Sequence, residues 1–208
     1  DPEMNARLRQ AIAAAKAVNL PKDKIENAIK KGTGELESAE IFEITYEGYG
    51  PGGVALLIEA ATDNKNRTVA EVRHILSKNN GSMGESGCVG WMFDRKGVVS
   101  LPKEGVSEDD AMEHGLEAGA EDVQDMGETW DVTCAPEDFE AVQEAFRAAE
   151  ITPENAEITM VPQNTVDVDA DTGRKLLKLV EALEDNEDVQ NVHANFELPE
   201  ELLAEMAE

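Results

Sequence analysis

A chain of 208 residues with 41% hydrophobic content can bury one large core or two to three small ones. A formal charge of −27 excludes a uniformly basic nucleic-acid binder, because a polyanion must be met by Lys and Arg. No apolar run approaches the ~18 residues of a membrane span, and the opening DPEMNARLRQ lacks the apolar core of a signal peptide, so the expectation is a cytoplasmic protein with no membrane partner.

The chain opens within an Ala-rich pattern and without an initiator Met, so a segment ahead of it is expected. Met4, Leu8, Ile12 and Ala15 recur at helical spacing, which predicts one amphipathic helix up to Asn19 and Pro21. A second helix follows Pro21, with Ile25, Ala28 and Ile29 inward and Gly32 and Gly34 at its end. Two such helices bury too little to stand alone and are expected to dock or to belong to a longer helical unit.

Phe42, Ile44 and Tyr46 alternate, Gly50-Pro51-Gly52-Gly53 turns the chain, and Val54 to Ile58 is continuously apolar. That succession predicts a hairpin whose second strand is buried. A helix is then expected from Asn66 to about Lys78, ended by a left-handed residue within Asn79-Asn80-Gly81. At ~100° per residue, Val69, Val72 and Leu76 share one side, and Arg67, Glu71, His74 and Lys78 share the other. A strand is predicted at Cys88 to Phe93, a turn at Asp94-Arg95-Lys96-Gly97 and a short strand from Val98 to Leu101.

Ser107 is expected to cap a helix carrying Ala111, Met112 and Leu116, with Asp110 at the third position making an imperfect capping box. Strands at 122–126 and 129–134 flank a tight turn at Gly127; Pro136 opens a helix containing Phe139, Val142 and Phe146, and 157–161 closes the unit. Strand, helix, strand, strand, helix, strand is the split βαβ order of ferredoxin-like units. Beyond it come a helix defined by Leu176, Leu179 and Leu183 and a strand at 189–196. Strands near 42, 54, 88 and 189 with helices near 66 and 173 make a second α+β set interrupted by the first. The fold class is therefore α+β, with a helical N-terminal domain at 1–40, a discontinuous domain at 41–94 and 164–208, and an inserted domain at 95–163.

Charge is distributed unevenly. Residues 1–96 hold 13 of the 18 basic and 14 of the 45 acidic residues, a net of −1, which leaves −26 for the remainder. Such asymmetry fits a front half that meets a charged partner while the rear stays solvated, and adaptation to a salty cytoplasm is compatible with it.

Catalytic chemistry finds no foothold. His74, His114 and His193 lack metal-ligand spacing, and no Ser or Cys sits in a nucleophile motif. Asp167-Val168-Asp169-Ala170-Asp171 begins like a calcium loop, but Thr172 and Lys178 stand where Gly and Glu are needed, so Asp171 reads as a helix cap. Cys88 and Cys134 read as separate reduced thiols. The expectation is a non-enzyme with no cofactor and no metal.

The run YEGYGPGGVALLIEAATDNKNRTVAEVRHILSKNNGSMGESG, with DRKGVVSL and EAGAEDV after it, closely resembles the YebC family of probable transcriptional regulatory proteins, which includes mitochondrial translational activators. The resemblance covers essentially the whole chain. It implies three domains, a helical one and two ferredoxin-like ones, and a basic segment ahead of the position where this chain starts. It also implies a non-enzymatic regulator binding DNA or RNA. The alternative within the family is a translation factor acting on the ribosome through rRNA or ribosomal-protein contacts.

On that basis Lys65, Arg67, Arg73 and Lys78 are the first candidates for phosphate contacts, and Lys22, Lys24, Lys30 and Lys31 the second group. Tyr46 and Tyr49 read as packing residues rather than base-stacking ones. A monomer is favoured. The rival readings are a ligand-sensing or enzymatic protein using the cleft between the α+β domains, and an adaptor whose acidic half engages a basic protein.

Overall fold

The computed structural model describes residues 4–36 and 39–206, so the outer ends of the expected 1–40 and 164–208 segments lie outside the described residues. The chain divides into two compact units, Asp1–Ile41 and Phe42–Glu208.

In the first unit, helix α1 (Ala6–Ala17) starts at Asn5, whose side chain accepts the Leu8 N–H at 3.0 Å. Asn19, at φ 57, turns the chain toward Pro21, and helix α2 (Lys22–Gly32) follows. Leu8 and Ile12 of α1 and Ile25 and Ile29 of α2 line an open apolar groove of about 420 Å³. No residue of α2 is fully buried, as two short helices of this composition require.

The second unit begins with the hairpin of β1 (Phe42–Tyr49) and β2 (Ala55–Thr62). The Gly50 N–H closes it on the Val54 carbonyl at 2.8 Å, and Gly52 and Gly53 supply φ values of 78 and 75 that only glycine adopts cheaply. Strand β2 is covered on both faces, which is why its sequence is an unbroken apolar run rather than an alternation. Leu56 and Ile58 lie in one cluster with Val72, Leu76, Leu176, Leu179 and Leu183, whereas Ala55 and Leu57 pack with Val89, Phe93 and Met160. Each such buried Leu or Ile contributes about 1.5–3 kcal/mol.

Helix α3 (Lys65–Lys78) starts one residue before the expected Asn66, because the Asn64 side chain accepts the Arg67 N–H at 3.1 Å. It ends where Asn80 takes φ 59 and the Gly81 N–H returns to the Leu76 carbonyl at 2.8 Å. The next strand, β3 (Ser82–Met83), pairs with β1 at Gly48 and Tyr49. One edge of this sheet is therefore β3, and the strand expected at Cys88 to Phe93 is a loop with a short helical turn at Gly90–Met92. Its amides are drawn out of any ladder by the Glu47 carboxylate, as described below.

Strand β4 (Phe93–Pro102) runs without a break through Asp94-Arg95-Lys96-Gly97, so the expected turn there is absent. Gly97 serves close packing instead: a Cβ on it would meet the Phe139 ring at 2.6 Å and the Cys134 sulfur at 2.8 Å. Helix α4 (Glu108–Glu117) carries the full Ser107–Asp110 capping box. Then come β5 (Ala120–Asp125), a turn at Gly127 with φ 89, β6 (Thr129–Cys134), α5 (Phe139–Ala148) and β7 (Asn155–Pro162). The strand order β5-β6-β4-β7, with every neighbour antiparallel, is that of the split βαβ unit. Its core joins Val99 and Leu101 to Val132, Phe139, Val142 and Phe146.

After the two-residue β8 (Val166–Asp167), α6 (Ala170–Glu184) is capped by Asp169, not Asp171: the Asp169 side chain accepts the Thr172 N–H at 2.7 Å. Strand β9 (Val189–Ala194) completes the first sheet as β3-β1-β2-β9. The short β10 (Phe196–Glu197) pairs with β8, and α7 (Glu200–Met206) ends the described chain. Thus the chain leaves one α+β sheet after β3, builds a second, and returns. The plans match in space: α3 carries the chain from β2 past β1 to β3, as α4 carries it from β4 past β6 to β5. His193 of β9 links the two sheets, its ring 3.2 Å from the Glu59 carboxylate and 3.4 Å from the Thr159 hydroxyl.

Candidate nucleic-acid interface

Helix α3 buries Thr68, Val72 and Leu76 and turns Lys65, Arg67, Arg73, His74 and Lys78 outward. The cations are not equivalent. Lys65 lies 4.0 Å over the Phe42 ring, a contact that holds its stem along the start of β1. Arg67 is engaged by carboxylates: one guanidinium nitrogen reaches both oxygens of Asp188 at 3.0 and 2.9 Å and Asp63 at 3.1 Å. Those bonds raise the Arg67 pKa, Asp188 foremost. Asp188 also accepts the Thr68 hydroxyl at 2.7 Å and the Thr62 hydroxyl at 3.2 Å. Burial alone would raise its pKa, but the bonds from Arg67 and Thr68 outweigh that and lower it.

The second half of the helix differs. Arg73 and Lys78 are exposed and form no ion pair among the described residues; Arg73 reaches only the Met83 sulfur, at 3.9 Å. Glu71, the acid of this face, is taken up by the Asn186 side chain at 2.8 Å. Lys78 in the last turn also faces the negative end of the helix dipole. Arg73 and Lys78 are thus placed at the end of α3 that leads into β3.

On α2, Lys22 is 3.6 Å from Glu26 in a loose exposed pair, while Lys24 and Lys30 make no ion pair among the described residues. Lys31 has a partner of its own. These four belong to the first unit and the α3 residues to the second. Tyr46 and Tyr49 are half-buried against the first and third clusters, which leaves them as packing residues.

The loop after β3 holds two features that the sequence reading passed over. Glu47, 8% exposed, accepts the backbone N–H groups of Gly87, Val89 and Gly90. Burial alone would raise its pKa, and the three amides more than reverse this. Trp91, next in the chain, is 65% exposed, its indole N–H donating to the Cys88 carbonyl at 3.2 Å. The signal was available in an apolar WMF triplet following three closely spaced glycines, which suits a fixed loop as well as a strand. Among the described residues no group of His, Cys, Asp or Glu converges as a metal site, and no helix is long and apolar enough to cross a membrane.

Residues 41–196 match the family model described as TACO1/YebC second and third domain, and residues 1–35 match that of the TACO1/YebC protein N-terminal domain. The chain belongs to the TACO1/YebC family. A probable transcriptional regulatory protein of Solidesulfovibrio magneticus is 64% identical over 202 residues, covering 97% of this chain and 82% of that protein. Its namesake in Maridesulfovibrio salexigens is 62% identical over 206 residues, covering 99% and 83%. Among solved structures, a conserved hypothetical protein from Aquifex aeolicus superimposes with a TM-score of 0.87 at 48% identity, covering 98% of this chain and 84% of that one. This TACO1/YebC chain therefore shares its α+β architecture with an experimentally determined relative.

Proposed function

We propose that this protein is a non-enzymatic regulator of gene expression that binds nucleic acid through phosphate contacts from Arg73 and Lys78, with the α2 lysines as a second group. The names of its relatives support the regulatory role. The observation that carries the binding mode is that Arg73 and Lys78 have no carboxylate partner among the described residues, in a chain of net charge −27. Exposed cations left unpaired in such a chain fit a polyanion, whose condensed counterions they displace. Arg67 serves the reading indirectly, by fixing the start of α3 against Asp188. Such contacts to phosphate position the nucleic acid and do not by themselves select sequence.

Crosslinking in cells, followed by sequencing of the recovered nucleic acid, tests the proposal. Enrichment of defined RNA or DNA species with the unmodified protein, lost with Arg73→Glu plus Lys78→Glu, is expected. Recovery no greater than that of the double variant would contradict it.

A further inference from the structure

The loop between β3 and β4 is built with more care than a connection needs. Its amides at Gly87, Val89 and Gly90 converge on the buried carboxylate of Glu47, and the Gly84 N–H donates to the Glu47 carbonyl at 2.8 Å. Gly87 takes φ 87, and a Cβ on Gly90 would meet the Glu47 carboxylate at 2.8 Å. Val89 and Phe93 anchor the loop beneath β2 through Ala55 and Leu57. The Gln163 side chain donates to the Trp91 carbonyl at 3.1 Å and fixes the far end. The Trp91 indole is itself oriented by its N–H bond to the Cys88 carbonyl at 3.2 Å, yet the side chain stands 65% exposed. Exposing so large an apolar surface on a rigid loop forfeits its burial, while a fixed aromatic ring binds a flat partner with little further ordering cost.

The loop leaves the sheet from β3, whose Met83 sulfur lies 3.9 Å from an Arg73 nitrogen. We infer that Trp91 is a stacking platform for an unpaired nucleobase, presented by the Glu47-clamped loop on the face of the first sheet opposite α3. This rests on the nucleic-acid reading above and narrows it to single-stranded or splayed-out segments, because an indole cannot reach the face of a base within an intact duplex.

The test compares a 12-nucleotide poly-U RNA and a blunt duplex of the same length as ligands for the intact chain, Trp91→Ala and Trp91→Tyr. Stacking predicts that Trp91→Ala loses about 5- to 150-fold in affinity for the single strand and none for the duplex, that Trp91→Tyr recovers most of the loss, and that poly-U quenches the indole fluorescence that Trp91→Ala removes. Unchanged single-strand affinity in Trp91→Ala, or equal weakening on both ligands, overturns the stacking role while leaving the phosphate contacts standing. A wild-type chain that binds neither ligand at low salt overturns both readings. Loss of a protein contact alone in Trp91→Ala, with nucleic-acid affinity intact, also overturns the stacking role.

Discussion

One guanidinium nitrogen of Arg67 touches both carboxylate oxygens of Asp188, 121 residues further along the chain. This pair joins the start of α3 to the turn between α6 and β9, and so closes the first sheet around the interrupting segment. Arg67→Ala is predicted to lower stability only slightly, since the arginine side chain is 45% exposed and solvent screens the pair. Its effect on nucleic-acid affinity should be smaller than that of Arg73→Ala. Chemical denaturation and binding run in parallel separate the two effects.

The same pair fixes the sign of a pH effect. The Asp188 pKa is lowered in the folded protein, so its contribution is fully present above the unfolded value of ~3.9 and is lost as pH falls through the folded one. The stability gap between wild type and Arg67→Ala should therefore close below about pH 4. Denaturant midpoints measured from pH 6 to pH 3 check this; a constant gap would mean that Asp188 is not the partner that matters.

Glu47 follows the same rule, with amides in place of a guanidinium. Glu47→Gln keeps one acceptor oxygen but turns an NH2 group toward backbone donors, which leaves buried amides unsatisfied. The expected cost is about 1–3 kcal/mol, with faster hydrogen exchange at Gly87, Val89 and Gly90. Exchange confined to other segments would show that the clamp contributes nothing to the order of the loop.

Gly97→Ala tests the reading of β4 as one continuous strand. A Cβ there runs into Phe139 and Cys134, so overpacking of about 1–3 kcal/mol is predicted. An unchanged melting temperature would contradict the close packing of Gly97 against Phe139 and Cys134. Thermal melting decides it.

Cys134 is fully buried in the second core, and burial, with the Asp138 charge behind it, pushes its thiol up to about 11. The thiolate is scarce at neutral pH. The native protein should therefore yield one fast-reacting thiol, the half-buried Cys88, and a second only on unfolding. Two thiols labelled at equal rates in the native state would contradict the packing of β6.

What could be read from the residues was whatever is encoded locally. The Val54 to Ile58 run announced a doubly covered strand, Ser107 and Asp110 announced their capping box, and Asn79-Asn80-Gly81 announced the end of α3. What could not be read was set by distant partners. Cys88 to Phe93 looks like a strand until Glu47, more than forty positions earlier, gathers its amides. Gly97 looks like a turn until α5 packs on it, and Asp169 took the capping role expected of Asp171 by a shift of two residues. For the cation face, spacing placed Arg67, His74 and Lys78 together, but it could not show that Arg67 is bound to Asp188 whereas Lys78 is unpaired among the described residues.

The most direct measurement is affinity for structured RNA and duplex DNA across a salt series, for the intact chain and for Arg73→Ala, Lys78→Ala and the double variant. Affinity should fall as salt rises, with the logarithmic slope reduced by about one for each cation removed and no change in thermal stability. Binding that is independent of salt, or a slope that is the same in the double variant as in the wild type, would contradict phosphate contacts from Arg73 and Lys78.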